Sequence, residues 1–123
     1  NWLNSYILCD SRTLEPKIWN TFTRITLASI RYGERVTLDV DLTFYAGNKV
    51  VRFDGLAVVE VKQDETSKVS PIMAEMRNYK IHPSGFSKYC IGVAMLYDQV
   101  KKNSLKPKLL RIKKLAEGVT NHE

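Results

Sequence analysis

The chain has 123 residues, of which 44% are hydrophobic and 26% charged, as in an ordinary globular domain. No run of about 18 apolar residues occurs, which excludes a membrane-spanning helix in this chain. The two cysteines and two histidines stand too far apart for a structural zinc site. The net charge of +6 favours an anionic partner: a nucleotide, polyphosphate, nucleic acid or acidic membrane surface.

Four β-strands are predicted from β-branched, aromatic and alternating residues, at positions 18–29, 35–45, 50–53 and 56–63. The second alternates with a period of two, so that one face carries Val36, Leu38, Val40, Leu42 and Phe44, and the other carries Arg35, Thr37, Asp39, Asp41 and Thr43. Short strands joined by tight turns favour an antiparallel meander.

Helices are predicted after the strands. One is expected from about residue 64 to 79, with Pro71 near its start, and another from Ser87 to about residue 102. The segment after Pro107 fits a short strand or a helix, and residues 118–123 are expected to fray. No internal domain boundary is indicated, so the expected organisation is one α+β domain over residues 1–123.

Ser87 and Lys88 stand side by side at the predicted start of the second helix. A hydroxyl, a lysine and free backbone N–H groups at a helix start can bind phosphate. The alternative is an ordinary serine cap followed by a solvated lysine.

Charged residues also recur on the polar faces of the predicted strands: Arg24 on the first, Arg35 and Asp39 on the second, Glu60 and Lys62 on the last. Residues two apart on a strand point the same way, so these charges can converge on one sheet face. Arginine and lysine would neutralise phosphate oxygens, and glutamate would hold a bridging cation. The alternative is a solvated face with weak surface ion pairs.

Four motifs, in this order, resemble the VTC (vacuolar transporter chaperone) domain: Phe22-Thr23-Arg24, Arg35-Val36-Thr37-Leu38-Asp39, Glu60-Val61-Lys62 and Phe86-Ser87-Lys88-Tyr89. That domain belongs to the triphosphate tunnel metalloenzymes, also called CYTH-like. The resemblance implies an antiparallel sheet that forms half of a barrel-shaped basic tunnel, flanked by two or three helices. It also implies polyphosphate polymerase activity with ATP as phosphate donor.

The resemblance further implies roles for individual residues. Arg24, Arg35, Lys62 and Lys88 would be catalytic cations that bind the phosphates of ATP, triphosphate or polyphosphate, together with Ser87. Glu60 would bind the divalent metal, manganese or magnesium. The role of Asp39, in the site or in the fold, stays open.

Family members carry further strands before this region, so the chain resembles the C-terminal part of the tunnel domain. The resemblance therefore implies activity only when the N-terminal half of the tunnel domain is supplied. An open sheet edge is expected, which a second copy of the chain could cover to form a homo-oligomer. No leader is visible in this chain, and a cytoplasmic location is expected.

The sequence is compatible with three functions. The first is the second half of a metal-dependent polyphosphate polymerase or triphosphatase. The second is a non-catalytic module that binds polyphosphate or triphosphate. The third, a nucleic-acid binder, is not expected, because the basic residues do not interleave with aromatics in a known reader pattern.

Overall fold

The computed structural model describes residues 5–64 and 69–120, the last four of these by their backbone alone. This part of the chain contains four strands and three α-helices: β1 (Trp19–Ser29), β2 (Glu34–Ala46), β3 (Lys49–Arg52), β4 (Val58–Gln63), α1 (Pro71–Asn78), α2 (Lys88–Leu96) and α3 (Lys106–Thr120). The strands form one open antiparallel sheet, consistent with half of a barrel, which confirms the predicted α+β class.

The long strand β2 is the centre of the sheet. One of its edges pairs with β1 over nearly the whole length of both strands. Its other edge is shared, because β3 pairs with residues 43–46 and β4 with residues 34–39. The predicted meander is therefore wrong for the last strand, since β4 returns to β2 instead of pairing with β3. This return places β4 beside the polar residues of β2.

A β-bulge interrupts the alternation that the sequence predicted for β2. Thr21 pairs with Thr43 and Thr23 with Val40, so two residues of β2 lie opposite one residue of β1. Asp41, inside the bulge, has a φ of 55°. An extra residue inverts the alternation beyond it. The predicted faces are therefore wrong past the bulge: Leu42 and Phe44 lie on the same face as Arg35, Thr37 and Asp39.

The main core lies on this face, beyond the bulge. Its buried members are Leu42, Phe44, Phe53, Ile91 and Leu96. The rings of Phe44 and Phe53 meet edge to face, with centroids 5.5 Å apart. Helix α2 packs directly against the strand, and a Cβ built at Gly92 would lie 2.5 Å from a ring carbon of Phe44. The close approach of α2 to β2 therefore depends on glycine at this position.

The first two helices are shorter than predicted. Helix α1 begins at Pro71, because the hydroxyl of Ser70 caps it by accepting from the Met73 N–H at 3.1 Å. Residue 64 is not helical, and positions 65–68 of the predicted helix lie outside the described residues. Helix α2 ends at Leu96 instead of near residue 102, where Tyr97 turns to extended backbone.

The last segment is a helix, one of its two predicted conformations. Pro107 does not break the chain, because it lies in the first turn of α3, where its missing N–H is not needed. Residues 118–120 continue this helix instead of fraying, whereas positions 121–123 of that prediction lie outside the described residues. Leu109 and Ile112 of α3 pack against the main core.

Candidate functional site

A polar cavity of about 170 Å³ lies on the sheet face between β1, β2 and β4. The pairing register brings its residues together, since Thr26 pairs with Thr37, Thr37 with Glu60, and Arg35 with Lys62. Residues directly opposite one another in a ladder share a face. The cavity is therefore lined by two residues from each strand: Arg24, Thr26, Arg35, Thr37, Glu60 and Lys62.

The charges of this cavity are three cations and one carboxylate. The ammonium of Lys62 lies 3.3 Å from a carboxylate oxygen of Glu60, and both side chains are more than half exposed. An exposed pair of this kind contributes little to stability. Its groups remain accessible to a ligand, and the excess of positive charge favours an anionic one.

At one end of the cavity, the carboxylate of Asp39 holds two of the basic side chains. Arg24 donates two hydrogen bonds to it, from Nε at 2.6 Å and from Nη2 at 2.8 Å. The ammonium of Lys88 lies 2.5 Å from Oδ2 of the same carboxylate. The Asp39 side chain is only 3% exposed. A nearly buried carboxylate thus connects β1, β2 and α2.

These contacts shift the pKa of both Arg24 and Asp39. The hydrogen bonds from Arg24, with a further contribution from Lys88, lower the pKa of Asp39 from its ordinary 3.8 to about 2, although burial opposes the shift. The same hydrogen bonds raise the pKa of Arg24, and the charge of Glu60 adds to this effect. Asp39 is therefore ionised throughout the physiological pH range.

The ring of Phe22 lies against both cations. The guanidinium carbon of Arg24 is 5.0 Å from the ring centroid, and the ammonium of Lys88 is 4.8 Å from it. Cations at this distance from an aromatic face are attracted by its quadrupole. Phe22 precedes Arg24 by two residues on β1, so their side chains leave the strand on the same side.

Ser87 and Lys88 take up different roles at the start of α2. The Ser87 hydroxyl caps the helix by accepting from the Cys90 N–H at 3.3 Å, as the predicted cap requires. Lys88 is 23% exposed and contacts Asp39, so the alternative of a solvated lysine is wrong. The start of α2 therefore places the ammonium of Lys88 at the edge of the polar cavity.

Most of the predicted site residues lie together. Arg24, Arg35, Glu60 and Lys62 line the cavity itself. Lys88 joins them through Asp39, and Ser87 lies next to it in the chain. Thr26, Thr37 and Phe22 were not predicted to have a role in the site. Their alternation with charged residues on β1 and β2 was the available signal, but only the register shows which of them face the cavity.

The donor set of the cavity suits a hard divalent cation that a phosphate ligand helps to hold. Glu60 supplies a carboxylate, and Mg²⁺-type ions often bind proteins through one or two carboxylates plus substrate phosphates. No group of three or more acidic, histidine or cysteine residues that could together hold a metal ion occurs within residues 5–64 and 69–120. Glu60 therefore fits a metal carried in with phosphate oxygens.

A larger cavity of about 440 Å³ lies between β4, α1 and α3. Its lining is mostly apolar and includes Met73, Met76, Phe86 and Ile112. Such a surface offers little to an anion, whereas the smaller cavity is lined by charged and polar side chains. Glu60 lies at the boundary and lines both cavities.

The fold and the cavity define an α+β domain with an open antiparallel sheet that carries a basic polar cavity on one face. The family model of the VTC domain matches residues 2–97, and the chain belongs to this family. Membership indicates a function related to polyphosphate, interaction with polyphosphate or nucleotides, and a general dependence on metal. Comparison with curated proteins and comparison with solved structures each found no match.

No helix among the described residues is both long enough and apolar enough to cross a membrane.

Proposed function

We propose that the chain contributes the phosphate-binding wall of a polyphosphate polymerase, in which a phosphoryl group passes from ATP to a polyphosphate chain. The observation that supports this proposal is the convergence of Arg24, Arg35 and Lys62 with Glu60 on one sheet face. Phosphoryl transfer mainly requires that phosphates be positioned and their charge neutralised. No side-chain nucleophile is needed for such a reaction.

The basic residues would divide this work by their chemistry. Arg24 and Arg35 would bind phosphate oxygens through paired N–H groups, whereas Lys62 and Lys88 would supply point charges. Ser87 would add its hydroxyl and the start of α2 beside Lys88. These groups would hold the acceptor chain and the donor phosphates in line for transfer.

Glu60 would hold the divalent cation, manganese or magnesium, jointly with the phosphates. When bound, such an ion neutralises charge on the phosphate oxygens. Lys62, at 3.3 Å from Glu60, would keep the carboxylate facing the cavity.

We further propose that the chain is the C-terminal part of a tunnel domain and that the free edge of β1 is covered by further strands. Within the described residues β1 pairs only with β2, and almost all of its residues are exposed. Open strand edges readily accept another strand. A second copy of the chain could supply it, so a homo-oligomer is one form of this proposal. The cytoplasmic location stays a prediction, as does the absence of nucleic-acid binding.

The second candidate is a non-catalytic module that binds triphosphate or polyphosphate. The ion pair between Glu60 and Lys62 favours it, because this pair satisfies the carboxylate without a metal. Incubation with ATP and manganese, with the strands that complete the tunnel present, separates the two candidates: longer phosphate chains support the polymerase, and binding without turnover supports the module.

Calorimetric titration with tripolyphosphate and with orthophosphate tests the binding that both candidates require. Tripolyphosphate should bind more tightly, because several cations in a row match several phosphates. Lys62→Ala should weaken tripolyphosphate binding by roughly tenfold or more, the equivalent of one charge-assisted hydrogen bond. The control is Lys106→Ala, an exposed lysine of α3 that does not line the cavity. Equal affinity for both anions, or equal losses in both variants, would contradict the proposal.

A further inference from the structure

Two of the proposed phosphate-binding cations, Arg24 and Lys88, come from different elements and depend on the same buried group. Arg24 lies on β1 and Lys88 at the start of α2, and both contact the carboxylate of Asp39 on β2. Long basic side chains have many rotamers, and ordering each one on binding reduces affinity. A fixed carboxylate beneath them removes much of that freedom before a ligand arrives.

We propose that Asp39 is a positioning residue for phosphate binding, which holds Arg24 and Lys88 in the orientation that receives phosphate oxygens. This inference rests on the proposed function. Asp39 itself, at 3% exposure, is not in a position to meet the ligand. It acts through the two cations, and the ring of Phe22 supports them from a second side.

The contacts with Asp39 leave both cations able to bind. Arg24 uses Nε and Nη2 toward Asp39, and its other N–H groups are available on a side chain that is 42% exposed. Lys88 has three donor hydrogens, of which the contact with Asp39 takes one. A phosphate can therefore bind without displacing the carboxylate.

The sign of a mutational effect distinguishes positioning from simple charge neutralisation. If Asp39 only neutralised its neighbours, removing its charge would make the cavity more positive and tighten anion binding. If it positions them, Asp39→Asn should weaken binding despite the added positive charge. We expect a loss of roughly fivefold in tripolyphosphate affinity, which corresponds to the ordering of one or two long side chains.

The experiment is a tripolyphosphate titration of Asp39→Asn and of its matched control Asp41→Asn. Asp41 lies two residues along the same strand, is exposed and does not line the cavity. Asparagine also tolerates its positive φ. The control should bind as well as the parent or slightly better. Unchanged or tighter binding by folded Asp39→Asn would overturn the proposal.

Phe22→Leu gives a second test that changes no charge and applies even where Asp39→Asn does not fold. Loss of the aromatic face beneath the cations should weaken binding by roughly twofold to threefold. An unchanged tripolyphosphate affinity in Phe22→Leu would overturn the proposal that Asp39 and Phe22 together position Arg24 and Lys88.

A double-mutant cycle shows whether Asp39 affects tripolyphosphate affinity through Lys88. In the Lys88→Ala background, Asp39→Asn should have a smaller effect on affinity than in the parent, because one positioned group is already gone. Full additivity would show that Asp39 does not act through Lys88, which would overturn the shared positioning of Arg24 and Lys88.

The single variants separate failure of this proposal from failure of the proposed function. If Arg24→Ala and Lys88→Ala bind tripolyphosphate as well as the parent, the phosphate site itself is wrong. If they lose binding while folded Asp39→Asn does not, only the positioning role is wrong.

Discussion

Glu60 is an acidic group in a cavity whose other charged residues are all basic. Its carboxylate lies 3.3 Å from the ammonium of Lys62, and it is about half exposed. In the absence of metal, this carboxylate repels phosphate, whereas in the proposed site it would help to hold a divalent cation. The contribution of Glu60 to phosphate binding should therefore change sign when a divalent cation is added.

Glu60→Gln tests this dependence on metal. Without divalent cations, the variant should bind tripolyphosphate more tightly than the parent, because one negative charge has left the basic face. With manganese present, the increase in affinity that the parent gains from the metal should be strongly reduced. Calorimetry with and without manganese measures both effects. Glu75→Gln, on an exposed part of α1, is the control. An unchanged manganese effect in Glu60→Gln would show that another group holds the metal.

At the scale of elements, α2 connects the core to the site. Its buried residues include Ile91 and Leu96, which pack in the core, while Lys88 in its first turn reaches Asp39. Gly92 lets the helix backbone approach Phe44 and Ile18 closely. The position of Lys88 therefore depends on the packing of the helix as well as on its own ion pair.

Gly92→Ala should destabilise the protein even though alanine is the better helix former. Helix propensity favours alanine by up to about 1 kcal/mol. The added methyl group would overlap the ring of Phe44, and overpacking of this kind typically costs about 1–3 kcal/mol. We expect a net loss of about 1–2 kcal/mol in the free energy of unfolding. Urea denaturation measures it.

Met95→Ala, at an exposed position of α2, provides the comparison for Gly92→Ala. It should change stability by less than about 1 kcal/mol, because little packing is lost at an exposed site. A Gly92→Ala variant more stable than the parent would show that α2 can move away from the sheet.

At the scale of the whole molecule, the residue pattern predicted where the strands lie but not how they meet. Alternation located β2 and β4 to within two residues, and it grouped Arg35 with Glu60 and Lys62, which line one cavity. It placed Asp41 on the same face, which is wrong. The inversion at Asp41 could not be predicted, because a bulge depends on pairing between strands that are distant in sequence. For the same reason the sequence could not show that Asp39 contacts both Arg24 and Lys88.

The helices show a similar division between local and tertiary information. Ser87 was identified as a cap because capping depends on residues close in sequence. The end of α2 at Leu96 was not predicted, because the apolar pattern continues past Leu96 into residues that are not helical. Lys88 resembled a solvated lysine for as long as its partner on β2 was unknown.

Acid should destabilise the whole fold through Asp39. Its pKa in the folded state, about 2, is below its ordinary value of 3.8, so the ionised form stabilises the folded protein above about pH 4. This contribution, about 2 kcal/mol, should be lost as the pH falls from about 4 toward 2. Urea denaturation at about pH 6 and about pH 2.5 measures the loss.

Asp39→Asn provides the comparison, because this variant cannot lose the contribution. The stability difference between the parent and Asp39→Asn should therefore shrink on acidification. A difference independent of pH would mean that the Arg24–Asp39 pair does not stabilise the fold through its charge.

The bulge in β2 also gives the cavity two unequal ends. By turning Leu42 and Phe44 toward α2, it places the buried hydrophobic core next to Asp39 and Lys88. Arg35 and Lys62 lie about 13 Å away along the strands and are exposed. Coulombic attraction grows as the local dielectric constant falls. An extended anion lying across the sheet would therefore be held more strongly at one terminus than at the other, and the cavity would impose a direction on it.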